Sequence, residues 1–262
     1  MKVLPSLLAI LPWLAAFSTA WGAAPERPYL VIAGTTSPNG EYAIVWSLPK
    51  GPQIEWEEFR AGKRGSDYLP DFTKPENEIA DDLIELESGR KLAAVASGYW
   101  ALPEGGPKSH PDDEFMEVAW SAQSNFVFVL HRLRSGPAWG SLRAVELEDG
   151  AAVSQLENGD GVEAALRSHL KKLYPQEYER GKNHLDLRMS DVKSLGGSKF
   201  SLSAIANLES KNGNRSYRGS IIKFELRPGK NGKLSLHVLG FAEMDLDEAA
   251  AYGTTSQTYA LR

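Results

Sequence analysis

The 262-residue chain contains no cysteine, no strongly basic stretch and, after its first residues, no long apolar run. Without cysteine, the protein can form no disulfide, use no thiol nucleophile and carry no lipid on a cysteine. The formal charge is −5, and the lack of a basic patch argues against nucleic acid and anionic membrane surfaces as partners. A nucleophile elbow, a His-Glu-x-x-His helix and a phosphate loop are also missing, so no familiar motif identifies an enzyme.

The single long apolar run predicts an export signal in residues 1–20. Lys2 supplies the positive start, residues 3–17 are almost wholly apolar, and residues 18–20 are the small side chains that precede a cleavage site. The run is short for a membrane span and no second one follows. We therefore expect a cleaved signal, an exported protein in the periplasm or outside the cell, and no membrane span in the mature chain.

A short sequence repeat gives the first information about architecture. The stretch Gly140–Leu147 (GSLRAVEL) returns as Gly219–Leu226 (GSIIKFEL), with four identical positions. A fainter echo, Asp82–Leu86, ends in the same Glu-Leu pair. Self-similarity of this kind indicates a repeated supersecondary unit. We predict that the three Glu-Leu segments are equivalent strands in three separate sheets.

The strand and turn pattern predicts an all-β fold, with residues 21–262 as a single β-rich domain. Apolar segments of strand length alternate with glycine-rich turns in three rounds, at about 29–96, 116–156 and 185–240. Each round contains four strands joined by hairpin-like turns, which is the pattern of an antiparallel meander. A chain of this size can bury enough apolar surface to fold without disulfides.

The first turn resembles a motif of propeller blades. Ser37-Pro38-Asn39-Gly40-Glu41-Tyr42 is similar to the Ser-Pro-Asp-Gly turn that recurs in the propellers of exported bacterial receptors and scaffolds. Ala122 and Gly197 depart from the proline at the equivalent turns of the other rounds. The whole chain also resembles a group of uncharacterised exported bacterial proteins, which implies no activity. Closed propellers usually have four to eight blades, so three units leave an open, incomplete or sandwich-like assembly as alternatives.

One amphipathic helix is predicted at residues 161–180, between the second and third rounds. Its apolar stripe consists of Val162, Ala165, Leu166, His169, Leu170, Leu173 and Tyr174. Asp160 and Glu163 are expected to cap its start, and Pro175 marks where the helix should fail. The stripe is long enough to require burial. We expect the helix to pack on a meander sheet and to bury Leu166, Leu170 and Leu173.

Four aromatic residues outside the repeats are candidate binding residues. Trp56 and Phe59 lie in a charged, proline-rich insertion, and Tyr99 and Trp100 follow the first round. Exposed aromatic rings stack on sugars or anchor protein partners. The alternative is that they fold back over a sheet edge. They support the leading hypothesis, an exported binding or scaffold module for a protein or carbohydrate partner, with no cofactor.

The runner-up hypothesis is a hydrolase with a carboxylate–histidine site, with or without a metal ion. His110, Asp112, Asp113 and Glu114 form the densest group of potential oxygen and nitrogen ligands in the sequence. Zinc requires three or four converging ligands and calcium six or more oxygens, which neighbours in sequence need not supply. A solvated acidic loop is the simpler interpretation, and whether the protein is an enzyme stays open.

The other histidines have simpler explanations in packing. His131 ends a strand, His169 lies on the apolar face of the helix, and His237 alternates outward on a late strand. His184 and Asp186 can share one strand face, but a general base also needs a nucleophile within reach. We expect these histidines to be packing residues.

Two tryptophans and three glutamates recur at regular positions in the rounds. Trp46 and Trp120 are expected in the core, because their placement in the rounds is regular. Glu85, Glu146 and Glu225 point away from their apolar neighbours, which favours a structural role.

Overall fold

The computed structural model describes residues 29–52, 74, 77–97, 115–132, 141–156, 160–182, 185–209, 215–229 and 232–244. Sheet 1 contains β1 (Tyr29–Val31), β2 (Tyr42–Ser47), β3 (Ala80–Glu85) and β4 (Lys91–Ser97). Sheet 2 contains β5 (Phe115–Trp120), β6 (Phe126–Arg132), β7 (Ser141–Glu148) and β8 (Ala151–Leu156). Sheet 3 contains β9 (Asp186–Gly196), β10 (Lys199–Glu209), β11 (Arg215–Pro228) and β12 (Leu234–Glu243). Two helices, α1 (Asp160–Leu173) and α2 (Pro175–Gly181), join sheet 2 to sheet 3.

All three sheets are antiparallel meanders in which each strand pairs with its neighbours in sequence. The prediction of an all-β fold made of three four-strand meanders with a helical insertion is therefore confirmed. Within the described ranges, neither helix is long and apolar enough to cross a membrane.

The first hairpins of sheets 1 and 2 close with the same turn. The amide of Ser37 donates to the carbonyl of Tyr42, and that of Ser121 to Phe126, both at 2.9 Å. In return, each serine hydroxyl accepts the amide of the same partner, at 3.0 Å in sheet 1 and 2.9 Å in sheet 2. The serine of each turn therefore pairs with both the carbonyl and the amide of the residue that follows the turn, and the turn geometry depends on this serine.

The turn of sheet 2 keeps this geometry without the proline and glycine of sheet 1. Gly40 has φ 75° in sheet 1, and Ser124 takes the equivalent left-handed position with φ 59°. Such a backbone is uncommon for a residue other than glycine, asparagine or aspartate. The Ser124 hydroxyl accepts a hydrogen bond from the amide of Asn39 at 3.1 Å, which ties the two turns together.

The three Glu-Leu segments lie at equivalent positions, as the repeat predicts. Each belongs to the third strand of its sheet or to the residue that follows it. In every case the leucine amide donates to a backbone carbonyl at the turn between the first two strands of the same sheet. The pairs are Leu86 to Glu41 (2.8 Å), Leu147 to Asn125 (2.8 Å) and Leu226 to Ser198 (2.9 Å). The shared hydrogen bond shows that the repeat specifies a strand register.

Sheet 2 lies between the other two sheets, and its strands contribute side chains to both hydrophobic cores. On β6, Val127 and Val129 enter the core shared with sheet 1, which we call core 1. The alternate residues Phe128 and Leu130 enter the core shared with sheet 3, which we call core 2. This near-continuous apolar run follows from burial on both faces.

Core 1 contains the two tryptophans that the sequence places in the interior. Trp46 is 1% exposed and Trp120 is 9% exposed. The indole of Trp120 stacks on Tyr42 with 6.2 Å between ring centroids and donates to the carbonyl of Thr35 at 2.9 Å. Trp120 belongs to sheet 2, whereas Tyr42 lies in β2 of sheet 1 and Thr35 in the loop before it. The tryptophan therefore joins the two sheets by ring packing and by a buried hydrogen bond.

The helices pack on sheet 3, whose strands are 10 to 14 residues long against 6 to 8 in sheet 2. Val162, Leu166 and Leu170 of α1 are at most 1% exposed and belong to core 2. Leu173 is 40% exposed, so its predicted burial is wrong. It is the last residue of α1, where the chain turns into α2, and the next residue, Tyr174, packs against core 2 instead.

Pro175 divides the predicted 161–180 helix into two. Proline has no amide hydrogen and fits the first turn of a helix, so α1 ends before it and α2 begins with it. The Glu163 carboxylate accepts from Arg167 at 2.6 Å, one turn along the helix. The predicted capping partner, Asp160, has a side chain outside the described part.

Arg218 fastens the second helix to sheet 3. Its guanidinium donates to both carboxylate oxygens of Glu177 on α2, at 3.1 and 3.2 Å. The same group lies over the ring of Tyr174, 4.6 Å from the centroid. Both side chains of the ion pair are about three-quarters buried, which makes this a stronger contact than an exposed surface pair.

Candidate functional site

The binding and metal residues proposed from the sequence lie outside the described residues. The aromatic candidates are Trp56, Phe59, Tyr99 and Trp100. The metal candidates are His110, Asp112, Asp113 and Glu114. Across the described ranges, no group of three or more histidine, aspartate or glutamate side chains is arranged to hold a metal ion.

Two of the histidines are packing residues, as predicted. His131 on β6 is 4% exposed, and burial, aided by the Arg143 guanidinium, lowers its pKa to about 4. His169 stacks flat on Phe241, with centroids 3.9 Å apart and 7° between the planes. Burial and the nearby Lys172 lower the pKa of His169, so both imidazoles are neutral near pH 7. His237 is exposed, and His184 lies outside the described residues.

The buried His131 should make stability depend on pH. In the unfolded chain its imidazole takes up a proton near pH 6.5, whereas the folded protein keeps it neutral down to about pH 4. The unfolded state therefore binds more protons in this window, and the free energy of unfolding falls as the pH drops through it. We expect a loss of ~2 kcal/mol between about pH 8 and about pH 5 from this group.

Urea unfolding of wild type, His131→Asn and His237→Asn at the two pH values measures this effect. His131→Asn should remove the ~2 kcal/mol dependence, whatever its stability at pH 8, while the exposed His237→Asn keeps it. Equal pH dependence in the wild type and His131→Asn would contradict the prediction.

The repeated glutamates at Glu85 and Glu225 hold structural ion pairs. Glu225 accepts from Arg227 at 2.6 Å, and Glu85 accepts from Ser88 and from Arg90 at the turn of its hairpin. These hydrogen bonds lower the pKa of both carboxyl groups. Arg90 also donates to the carbonyl of Gly150 at 2.8 Å. The arginine of the Glu85–Arg90 ion pair in sheet 1 therefore also contacts the β7–β8 turn of sheet 2.

A groove on the outer face of sheet 1 is the best candidate site in the described part of the chain. Val45 and Asp82 are paired across β2 and β3 and lie on the face opposite Trp46, away from sheet 2. The groove has a volume of about 220 Å³. Its lining comes from β3, β4 and the segments beside them: Pro49, Lys50, Glu78, Ile79, Ala80, Asp82, Lys91, Ala94 and Ala96.

Small side chains create the groove. Ala94 lies beside Asp82 in the neighbouring strand, and Ala80 and Ala96 line the same hollow. Alanine ends at Cβ, so three alanines leave a depression that larger residues would fill. The Pro49 and Lys50 segment after β2 and Glu78 before β3 border the depression, which makes it a groove with apolar walls and charged edges.

Asp82 is the central polar group of the groove. It is 6% exposed, and its Oδ1 lies 2.8 Å from the ammonium of Lys91, whose side chain is 56% exposed. The contact has the distance of an ion pair without the directions of a hydrogen bond, and Oδ1 has no hydrogen-bond partner among the described residues. A buried carboxylate needs a cation nearby, and Lys91 supplies it from the solvent side.

The edges of the groove carry both signs of charge. Lys50 and Glu78 are exposed and line the groove together with Lys91 and Asp82. Two ammonium groups and two carboxylates give a formal charge of zero over the described part of the lining. The arrangement can bind a small polar molecule, but the lining residues that the structure describes include no histidine or hydroxyl nucleophile.

The sequence contained a weak signal for this site. Asp81 and Asp82 occupy adjacent positions in a buried strand, and aspartate is seldom fully buried without a partner. Asp81 lies on the core 1 side, paired in register with Trp46, and Asp82 lies on the groove side. The alternation of the strand therefore sends the two carboxylates to opposite faces of the sheet.

No protein-family model matches the sequence, and comparisons with curated proteins and with solved structures find no significant match.

Proposed function

We propose that the protein is an exported binding module in which the stacked sheets form a rigid frame for a small-ligand site. The observation that carries this proposal is the groove of sheet 1, where a buried carboxylate and three exposed charged side chains share one hollow. Ligand sites commonly combine apolar walls with a few placed polar groups. The fold alone implies no function, so the proposal depends on this site.

Binding is better supported than catalysis by the chemistry of the described residues. A general base must lie within hydrogen-bonding reach of the group it deprotonates. His131 is buried and His169 is stacked on Phe241, and neither lines the groove. The carboxylate of Asp82 is held by Lys91, an arrangement that fixes charge for recognition.

A ligand panel tests the proposed function. Amino acids, short peptides, sugars and small organic acids and amines are screened by thermal shift and by changes in the amide spectrum of the isotope-labelled protein. At least one class should raise the melting temperature in proportion to its occupancy, because a ligand that binds only the folded state stabilises it. A panel with no binder in any class contradicts a small-ligand binding module.

Export is tested by the mature amino terminus. We expect the protein recovered from the exported fraction to start at Trp21 or Ala23, because small residues precede both positions. Terminal sequencing or intact-mass measurement gives the answer directly. Exported material that begins at Met1 would contradict cleavage of the signal.

A further inference from the structure

We infer that the groove of sheet 1 binds a small zwitterion, namely a free α-amino acid or a short peptide. This inference rests on the proposed function and names the ligand class of the same site. Its evidence is the size of the groove, the balance of charge around it and the unused hydrogen-bonding capacity of Asp82.

The size of the groove limits the ligand. Its volume is about 220 Å³, whereas sites for drug-sized ligands are about 300–1,000 Å³. The three alanines leave room for a short apolar group and little else. A folded protein domain or a long sugar chain would contact the rim without entering the hollow, but an amino acid or dipeptide fits within it.

The charges select a molecule that carries both signs. A simple anion attracted to Lys50 and Lys91 meets the carboxylates of Glu78 and Asp82, and a simple cation meets the two ammonium groups. A zwitterion places its carboxylate toward the lysines and its ammonium toward the carboxylates. Its net charge matches the formally neutral lining, so binding leaves no unpaired charge in the groove.

Asp82 supplies the anchoring acceptor. Its buried Oδ1 has an ion-pair contact with Lys91 and no directed hydrogen bond within the described part. That oxygen is closed to solvent by the protein, so an α-ammonium group with its three N–H donors reaches the carboxylate when the exposed Lys91 side chain swings aside to meet the carboxylate of the ligand. Because the carboxylate is already desolvated and fixed by the strand, it loses little freedom when the ligand binds.

The test uses small molecules that separate the two charges. L-alanine and glycylglycine carry both, acetate carries only the negative charge, and ethylamine only the positive. Amide chemical shifts of the labelled protein are followed during each titration. The zwitterions should shift Ala80, Asp82, Ala94 and Ala96 and bind about fivefold more tightly than either single-charge probe, which is the upper end of the effect of one additional partly exposed ion pair.

Two rim substitutions provide a test that leaves the fold intact. Lys50→Gln and Glu78→Gln change exposed side chains, and each should weaken L-alanine binding by about fivefold. Glu78→Gln should also improve binding of acetate, and Lys50→Gln binding of ethylamine, because each removes a repulsive charge. Glu225→Gln removes an exposed ion pair on sheet 3 and serves as the matched control with unchanged binding.

Several outcomes would overturn the inference. They are equal affinity for L-alanine and a single-charge probe, shifts confined to residues outside the groove, or unaltered affinity in both rim variants. Absence of binding by all four probes also overturns it. If none of the four probes binds but a sugar or another ligand of the wider panel shifts the groove residues, the binding function stands while the zwitterion inference fails, so the two failures are distinguishable.

Discussion

Replacing Phe128 by alanine is expected to lower the free energy of unfolding by about 3–5 kcal/mol. The side chain is fully buried on β6, in the middle of the stack. It packs on Phe200 with 5.7 Å between centroids and on Phe224 with 4.9 Å, so it connects sheet 2 with two strands of sheet 3. The neighbours lie in regular strands and cannot collapse fully into the space, which adds a cavity cost to the lost burial. Urea unfolding measures the change.

Tyr217→Ala provides the matched control for Phe128→Ala. Tyr217 is an aromatic residue of sheet 3 that is 41% exposed, and its removal should cost less than about 1 kcal/mol. A Phe128→Ala loss as small as the Tyr217→Ala loss would show that sheets 2 and 3 do not share a packed core.

Replacing Leu170 by alanine is expected to cost about 2–5 kcal/mol, while Leu173→Ala, on the same helix, should cost less than about 1 kcal/mol. Leu170 is fully buried in core 2, and Leu173 is 40% exposed at the end of α1. The two variants remove the same atoms from the same type of residue, and because alanine is the better helix former, helix propensity cannot account for a loss at Leu170. Thermal or urea unfolding of both proteins isolates the contribution of burial.

The comparison also separates a structural helix from a docking helix. If α1 served to bind a partner and packed loosely on its own sheet, Leu170→Ala would leave the isolated protein as stable as Leu173→Ala does. Lys171→Ala, between them in sequence and exposed, is a further control with almost no expected effect. Equal losses for the two leucines would contradict the packing of α1 on sheet 3.

The meanders could be predicted because their signals are local. Strand length, alternation and turn residues occur within a few positions, and the Glu-Leu repeat identifies the third strand of each sheet. The turn of sheet 2 was harder to recognise, since Ser124 takes the left-handed position where Gly40 marks the first turn. The hydroxyl of Ser121 maintains that geometry, and one sequence does not show that a serine will act in this way.

The groove could not be predicted because it depends on residues that meet only in the folded sheet. Lys50 follows β2 and Lys91 begins β4, and alanines such as Ala94 and Ala96 carry no sign of a hollow. The predicted burial of Leu173 was wrong for a related reason. Helical spacing places it on the apolar stripe, but at the junction of the two helices Tyr174, and not Leu173, packs against core 2. The sequence period identifies the apolar face of a helix, and packing against a neighbouring element decides how much of that face is buried.

The central position of sheet 2 has a consequence for how the protein opens. Its strands contribute to both cores, so neither outer sheet can separate without exposing one face of sheet 2 to water. The amides of β6 should therefore exchange with solvent deuterium only when the whole domain unfolds, whereas the edge strands β1 and β12 exchange through smaller local openings. Sheet 2 would then set the upper limit of protection in an exchange experiment.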